Sequence, residues 1–224
     1  MNATRICLAS TDSFFTGGIL DLIGAIPEFQ VVSVGEDWQD LSNELSDNSP
    51  DLVFVDIGST EQATHSNTGV ELMVNIDVMA PQTACIALYE YESDDSVFSS
   101  LEAGASACMA KSTDMDSLVE ILTAVCAGEY PILDLLAKMP NVATRLSQAL
   151  SSTAQAGRPV QRVLTSLTGR ELNVLNQLSE GVGPDEIHQR LAGPHSDLRP
   201  ILSSIVAKLR ENRTIVSISS ALAA

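Results

Sequence analysis

The residue best placed to do chemistry is Asp56, which closes the run PDLVFVD at positions 50–56. A Pro-Asp entry followed by four apolar residues reads as a short strand buried on both faces. In open parallel α/β sheets, ligands bind at the carboxyl ends of the strands, and Asp56 stands at such an end. An aspartate that only caps the following turn reads equally well from this stretch alone. Other reactive side chains form no constellation. His65, His188 and His195 are scattered; His188 reads as packing or surface. Cys7, Cys85, Cys108 and Cys126 contain no C-x-x-C pair, and the first three sit in apolar runs. They read as buried free thiols of a reducing compartment, not as metal ligands. Met73, Met79, Met109 and Met115 read as gap-filling core residues. With no nucleophile–base pair and no phosphate loop, the chain is expected not to be an enzyme, with neither catalytic residues nor a metal.

Charge divides the chain. Residues 1–130 carry Arg5 and Lys111 against 22 acids, net −20, while residues 131–224 carry ten basic residues against seven acids, net +3. Such asymmetry predicts two domains with different partners, of which only the second could approach nucleic acid. No stretch is long and apolar enough to span a membrane, and MNATRICLAS has no basic n-region with an apolar run behind it. A cytoplasmic protein without membrane contact is expected.

The elements that must position Asp56 alternate. Strands are expected at 5–9 and 29–34, in the stretch 50–56, and at 84–89 and 107–110. Helical spacing covers 14–26, 38–45, 70–78, 97–103 and 115–127. This is a (βα)5 pattern, and right-handed crossovers make it a doubly wound parallel sheet. Pro131 and Pro140 punctuate a linker with helical stretches at 132–138 and 142–150, followed by a small, polar, flexible stretch at 151–157. Short helices at 168–180, 185–191, about 197–210 and 215–223 form a small helix-turn-helix bundle. The expected architecture is α/β, with a domain over 1–128, a helical linker over 129–163 and an all-α domain over 164–224.

RICLASTDSFFTGGILDLI, PDLVFVDI and LEAGASACMAK together resemble the flavodoxin-like receiver domain of two-component response regulators. LTGRELNVLNQLSEGVGPDEIHQRL, with IVAKL and NRT behind it, resembles the LuxR-type helix-turn-helix of the NarL/FixJ subfamily. The resemblance implies strand order 2-1-3-4-5, phosphorylation of a strand-end aspartate by a histidine kinase, a homodimer, and transcriptional control. Asp56 matches the phospho-acceptor, and Lys111 matches the lysine that pairs with the phosphoryl group. The acidic pair that should end the first strand is replaced by Ser10 and Thr11, with Asp12 just beyond. Tyr89 stands where a small hydroxyl residue is usual.

These departures bear on phosphoryl transfer. The reaction needs Mg²⁺, which wants carboxylate oxygens, and Ser10 and Thr11 supply none. No cofactor is therefore expected, and Mg²⁺ binding is disfavoured. With fewer carboxylates, Lys111 favours an ionised Asp56, so an Asp56–Lys111 ion pair is expected to persist without phosphorylation. Tyr89 is expected to crowd the pocket.

The second half departs as well. Asp197, Leu198, Arg199, Pro200 and Ile201 stand where the resemblance puts T-V-K-x-H, and residues 167–213 hold six basic residues against six acids. A proline is tolerated only near a helix start, so the third helix is expected to begin at or after Asp197. Its probing end then offers Arg199 and Ser203 to DNA, with Lys208 for phosphate, and binding is expected to be weak. The functional expectation is a response-regulator-like transcriptional regulator whose receiver is not switched by ordinary phosphorylation. The alternative is a dimeric interaction or sequestering module that has lost DNA binding. The small residues of 215–223 suit self-association or packing within the domain. The acids Glu90, Glu92, Asp94 and Asp95 border a face suited to a protein partner.

Overall fold

The computed structural model describes residues 3–35, 38–58, 69–156, 167–191 and 198–209. Five parallel strands form one sheet in the order β2-β1-β3-β4-β5. They are β1 (Thr4–Ala9), β2 (Phe29–Gly35), β3 (Leu52–Asp56), β4 (Ala84–Tyr89) and β5 (Ala107–Ala110). β3 is central, with Val55 level with Ala9 on β1 and Asp56 level with Leu88 on β4. Side chains alternate across a strand, and both faces here are covered. Leu52 and Phe54 face α1 (Ser13–Gly24) and α5 (Met115–Cys126), meeting Ile19, Ile23, Leu118 and Leu122. Val53 and Val55 face α2 (Trp38–Asn48), α3 (Gly69–Met79) and α4 (Asp94–Glu102), meeting Leu41, Met73, Ile76, Val97 and Leu101. Burying each such side chain contributes roughly 1.5–3 kcal/mol.

Helix starts follow local chemistry. Asp12, Ser93 and Asp114 sit in extended backbone, and each side chain accepts the N–H three residues on, at Phe15, Ser96 and Ser117. These are orphan donors that a helix cannot satisfy internally. Ser93 starts α4 at Asp94, three residues ahead of the apolar positions that mark it in the sequence. α3 starts where only glycine fits: a Cβ on Gly69 would lie 2.5 Å from the carbonyl oxygen of Asp56. That close approach seats α3 against the end of β3.

Beyond the sheet come α6 (Leu133–Lys138), α7 (Pro140–Ala156), α8 (Gly169–Ser179), α9 (Pro184–Arg190) and α10 (199–209). The expectation of a flexible stretch at 151–157 is corrected over 151–156, because α7 continues through Ala156, and 157 lies outside the described residues. Its buried stripe Val142, Ala143, Leu146 and Leu150 belongs to one cluster with Val174, Leu175 and Leu178 of α8 and Leu202, Ile205 and Val206 of α10. The same cluster includes Val97 and Leu101, so the apolar core runs unbroken from the sheet to the last described helix. Polar contacts reinforce the join. The Arg145 guanidinium donates to Asp95 at 2.7 Å and lies 4.0 Å from the Phe98 ring centroid, and Asn141 donates to Asp94 at 2.8 Å. The helix expected at 215–223 lies outside the described residues.

Candidate functional site

Three elements bring the site together. β1 delivers Ser10 just past its end, β3 delivers Asp56, and β5 delivers Lys111 one residue beyond Ala110. Asp56 is in phase with Leu52 and Phe54, so its carboxylate emerges on the α1/α5 side. The Ser10 hydroxyl donates to Asp56 Oδ2 at 2.7 Å, and Lys111 Nζ lies 2.8 Å from the same oxygen. The Gly58 N–H donates to Oδ1 at 3.0 Å. The Asp56 and Lys111 side chains are 8% and 13% exposed, so this ion pair is nearly dry.

Lys111 also meets Asp12 Oδ2 at 3.2 Å and Glu90 Oε2 at 3.8 Å, and it lies 5.3 Å from the Phe15 ring centroid. Burial lowers the Lys111 pKa, but bonding to Asp56 and then Asp12 outweighs it, and the net direction is up from 10.5. The Asp12 carboxyl is held below 3.8, first by the Phe15 N–H it caps and then by Lys111. One side chain thus starts α1 and braces the lysine.

Of the expected pocket residues, Ser10, Asp12, Asp56 and Lys111 meet here, while Thr11 is exposed. Tyr89 is a correction. It alternates to the other sheet face with Cys85 and Ala87, fully buried beside Val97 and Leu101, and does not crowd Asp56. Burial, and then Cys108 beside it, push its phenol well above 10. Glu90 is the residue that sequence reading passed over. It falls in a charge run that reads as solvated surface, and only its place one residue past β4 puts it against Lys111.

The donor set does not fit Mg²⁺. That ion demands near-octahedral oxygen ligands. Here an ammonium bridges the two nearest carboxylates, and no three metal-ligating groups converge among the described residues. What the arrangement can do is hold the Asp56 side chain hydrogen-bonded and paired with Lys111.

The residues expected to meet DNA lie on α10. Leu198 accepts the N–H of Leu202, helix begins at 199, and Pro200 is its second residue, where a missing N–H leaves no bond unmade. Arg199 pairs with Glu129 at 3.4 Å, and Ser203 is half-buried. Lys208 turns inward to Glu171 at 2.6 Å, with the two side chains 15% and 5% exposed. Glu171 also accepts from Ser204 at 2.6 Å and from the Thr168 N–H at 2.6 Å, as half of a capping box.

This fold has counterparts. The chain is 27% identical over 211 residues to the DNA-binding transcriptional activator DevR/DosR of Mycobacterium tuberculosis, covering 94% of this chain and 90% of that protein. It is 24% identical over 216 residues to the transcriptional regulatory protein DegU of Brevibacillus brevis, covering 94% and 89%. Among solved structures it resembles a LuxR-family two-component response regulator from Aurantimonas sp. SI85-9A1, with a TM-score of 0.51 and 24% identity over 57% of this chain and 87% of that one. The chain is similar to LuxR-family response regulators along more than nine-tenths of its length. No protein-family model matches it. The isolated receiver domain of RcsB from Salmonella enterica serovar Typhimurium shares the receiver fold, with a TM-score of 0.50 and 20% identity over 57% of this chain and 91% of that one. The receiver fold is therefore present, with Ser10 and Thr11 following its first strand.

Proposed function

We propose that this response regulator controls transcription through a receiver that is not switched by ordinary phosphorylation of Asp56. The observation that carries the reading is the state of that carboxylate. One oxygen already holds Ser10 and Lys111 and the other holds Gly58, in a nearly dry pocket without a magnesium donor set. Phosphoryl transfer is positioning plus charge neutralisation, and here Lys111 and Ser10 hold the Asp56 oxygen Oδ2 while Asp12, the nearest other carboxylate, is itself paired with Lys111. Incubation with acetyl phosphate or beryllofluoride and Mg²⁺ should give no stoichiometric adduct by intact-mass measurement. A stable phosphoprotein at Asp56 overturns the reading.

DNA is the proposed target, met by Arg199 and Ser203 at the start of α10. The full chain should bind a nonspecific duplex weakly and with a steep salt dependence, and Arg199→Ala should abolish that binding. Tight sequence-specific binding at physiological salt, unchanged by Arg199→Ala, overturns the assignment.

A second reading is a homodimeric module that sequesters a protein partner. It draws on the intramolecular pairing of Arg199 and Lys208 and on the charge balance of residues 167–213. Absence of duplex binding even at about 50 mM salt favours it. Sedimentation at tens of micromolar tests the dimer.

A further inference from the structure

Beside the Asp56–Lys111 pair lies a groove between α1 and α5, lined at one end by Lys111, Asp12 and Glu90. Phe15, Ile19 and Leu22 of α1, Met109 of β5 and Leu118 of α5 give it an apolar floor, and its volume is about 370 Å³. That is within the range of small-molecule sites, which combine such floors with a few polar groups. Gly18 also lines it, and nothing lies within 4 Å of where a Cβ on Gly18 would stand, so the groove is open along the helix. Phe14 sits at its rim and is 93% exposed, more than any other large apolar side chain among the described residues.

The polar end has a definite sign. Lys111 is one ammonium facing three carboxylates, Asp56, Asp12 and Glu90. Asp56 is satisfied by its other partners, but Glu90 at 3.8 Å is only loosely engaged, and Asp12 and Glu90 both reach solvent at the groove mouth. Two negative charges are in excess there, within a half of the chain whose net charge is −20. Low-dielectric walls focus such a field and concentrate cations.

We propose that this groove binds a small amphipathic cation, with an aromatic or branched apolar body between α1 and α5 and an ammonium group seated between Asp12 and Glu90. The apolar body covers Ile19, Leu22 and Met109. Phe14 closes over it and gains both burial and an aromatic contact. Ser112 and Thr113, also lining the groove, supply hydroxyl oxygens for the remaining N–H donors. The ligand's charge competes with Lys111 for Asp12 and Glu90, leaving the lysine more fully committed to Asp56. The inference rests on the reading of an unphosphorylated receiver only for this last consequence, in which occupancy is registered at the acceptor carboxylate.

The test titrates the full chain with 2-naphthylmethylamine, with the corresponding alcohol and with 2-naphthoate, followed by calorimetry and amide chemical shifts of α1 and α5. The amine should bind at least about tenfold more tightly than the alcohol, the difference expected for one charge-assisted contact, and the naphthoate should be weakest. Glu90→Gln should reduce amine affinity several-fold and leave the alcohol unchanged. Gly18→Leu should fill the groove and abolish binding of both, with the circular dichroism of the fold intact. Equal binding of amine and alcohol, undiminished amine binding by Gly18→Leu, or no binding by any probe each overturns the proposal. So does a groove that Gly18→Leu affects only through sedimentation, since its occupant is then a second copy of the chain. Phosphorylation of Asp56 would defeat the reading of the receiver and leave a positive titration standing; a negative titration would do the reverse.

Discussion

Among the described residues, the two halves of the molecule each bury one lysine–carboxylate pair, and the pairs are nearly twins in geometry. Lys111–Asp56 spans 2.8 Å and Lys208–Glu171 spans 2.6 Å, with every side chain 15% exposed or less. Their surroundings differ. Glu171 is enclosed by partners from its own bundle, Ser204 and the Thr168 N–H, so its hydrogen bonding is complete. Lys111 is shared among three acids at the mouth of a groove, two of them in excess of its charge. An ion pair closed on all sides fixes a helix in place, whereas one left with surplus charge at an opening is available to something else.

Removing the lysines one at a time should separate the pairs most strongly. Lys208→Met leaves Glu171 buried without its counter-charge, and breaking such a pair costs about 3–5 kcal/mol. The low end is expected, because Ser204 and Thr168 still donate, and urea denaturation measures it. Lys111→Met should cost less, about 1–2 kcal/mol, since solvent and counter-ions reach the groove mouth. Equal losses would show that openness does not distinguish the two sites.

Acidity sharpens the same contrast. Burial raises the Glu171 carboxyl, but the bonds from Lys208, Ser204 and Thr168 outweigh it and hold it below 4.5. A depressed carboxyl stabilises fully above its unfolded value and loses that contribution as pH falls through its folded value. Glu171 should therefore give an acid limb in the urea midpoint below about pH 4.5, and Lys208→Met should flatten it. Asp12 adds a second loss at lower pH, below 3.8. Lys111 acts on the opposite side. Its raised pKa stabilises fully below 10.5, and the contribution fades as pH rises through the folded value, a limb that Lys111→Met should remove. The smallest effect belongs to the exposed Arg199–Glu129 pair. Glu129→Gln should change stability by less than about 1 kcal/mol, while removing one acid that competes with DNA for Arg199 and so raising duplex affinity in an anisotropy titration.

Much of the sheet was legible because its strands are buried on both faces and read as unbroken apolar runs. The expected bounds of 84–89 and 107–110 are those observed, and β3 fills the apolar part of the expected stretch 50–56. Helix ends were harder. The first turn of α4 and the last turns of α7 are polar, so apolar spacing is silent there, and only the Ser93 cap marks the former. At the site, Asp56 and Lys111 are found from strand ends and resemblance, but two things are not local. Glu90 meets Lys111 because β4 and β5 are neighbours in the sheet. Lys208 meets Glu171, 37 positions away, because α8 and α10 share a core, and a basic residue near a recognition helix otherwise reads as a phosphate contact. Tyr89 shows the limit of matching by position, since the side-chain alternation of β4 sends it to the far face.

The unbroken core has a consequence for how the chain opens to solvent. With Leu101 of α4, Leu146 of α7, Leu178 of α8 and Ile205 of α10 in one cluster, no seam among the described residues lets the helical half detach without uncovering apolar surface. Backbone amides in α7 and α8 should then exchange with deuterium at rates set by the same cooperative event as those of β3 and β4. Proteolytic cleavage within α7, α8 or α10 would then track the population of the globally opened state.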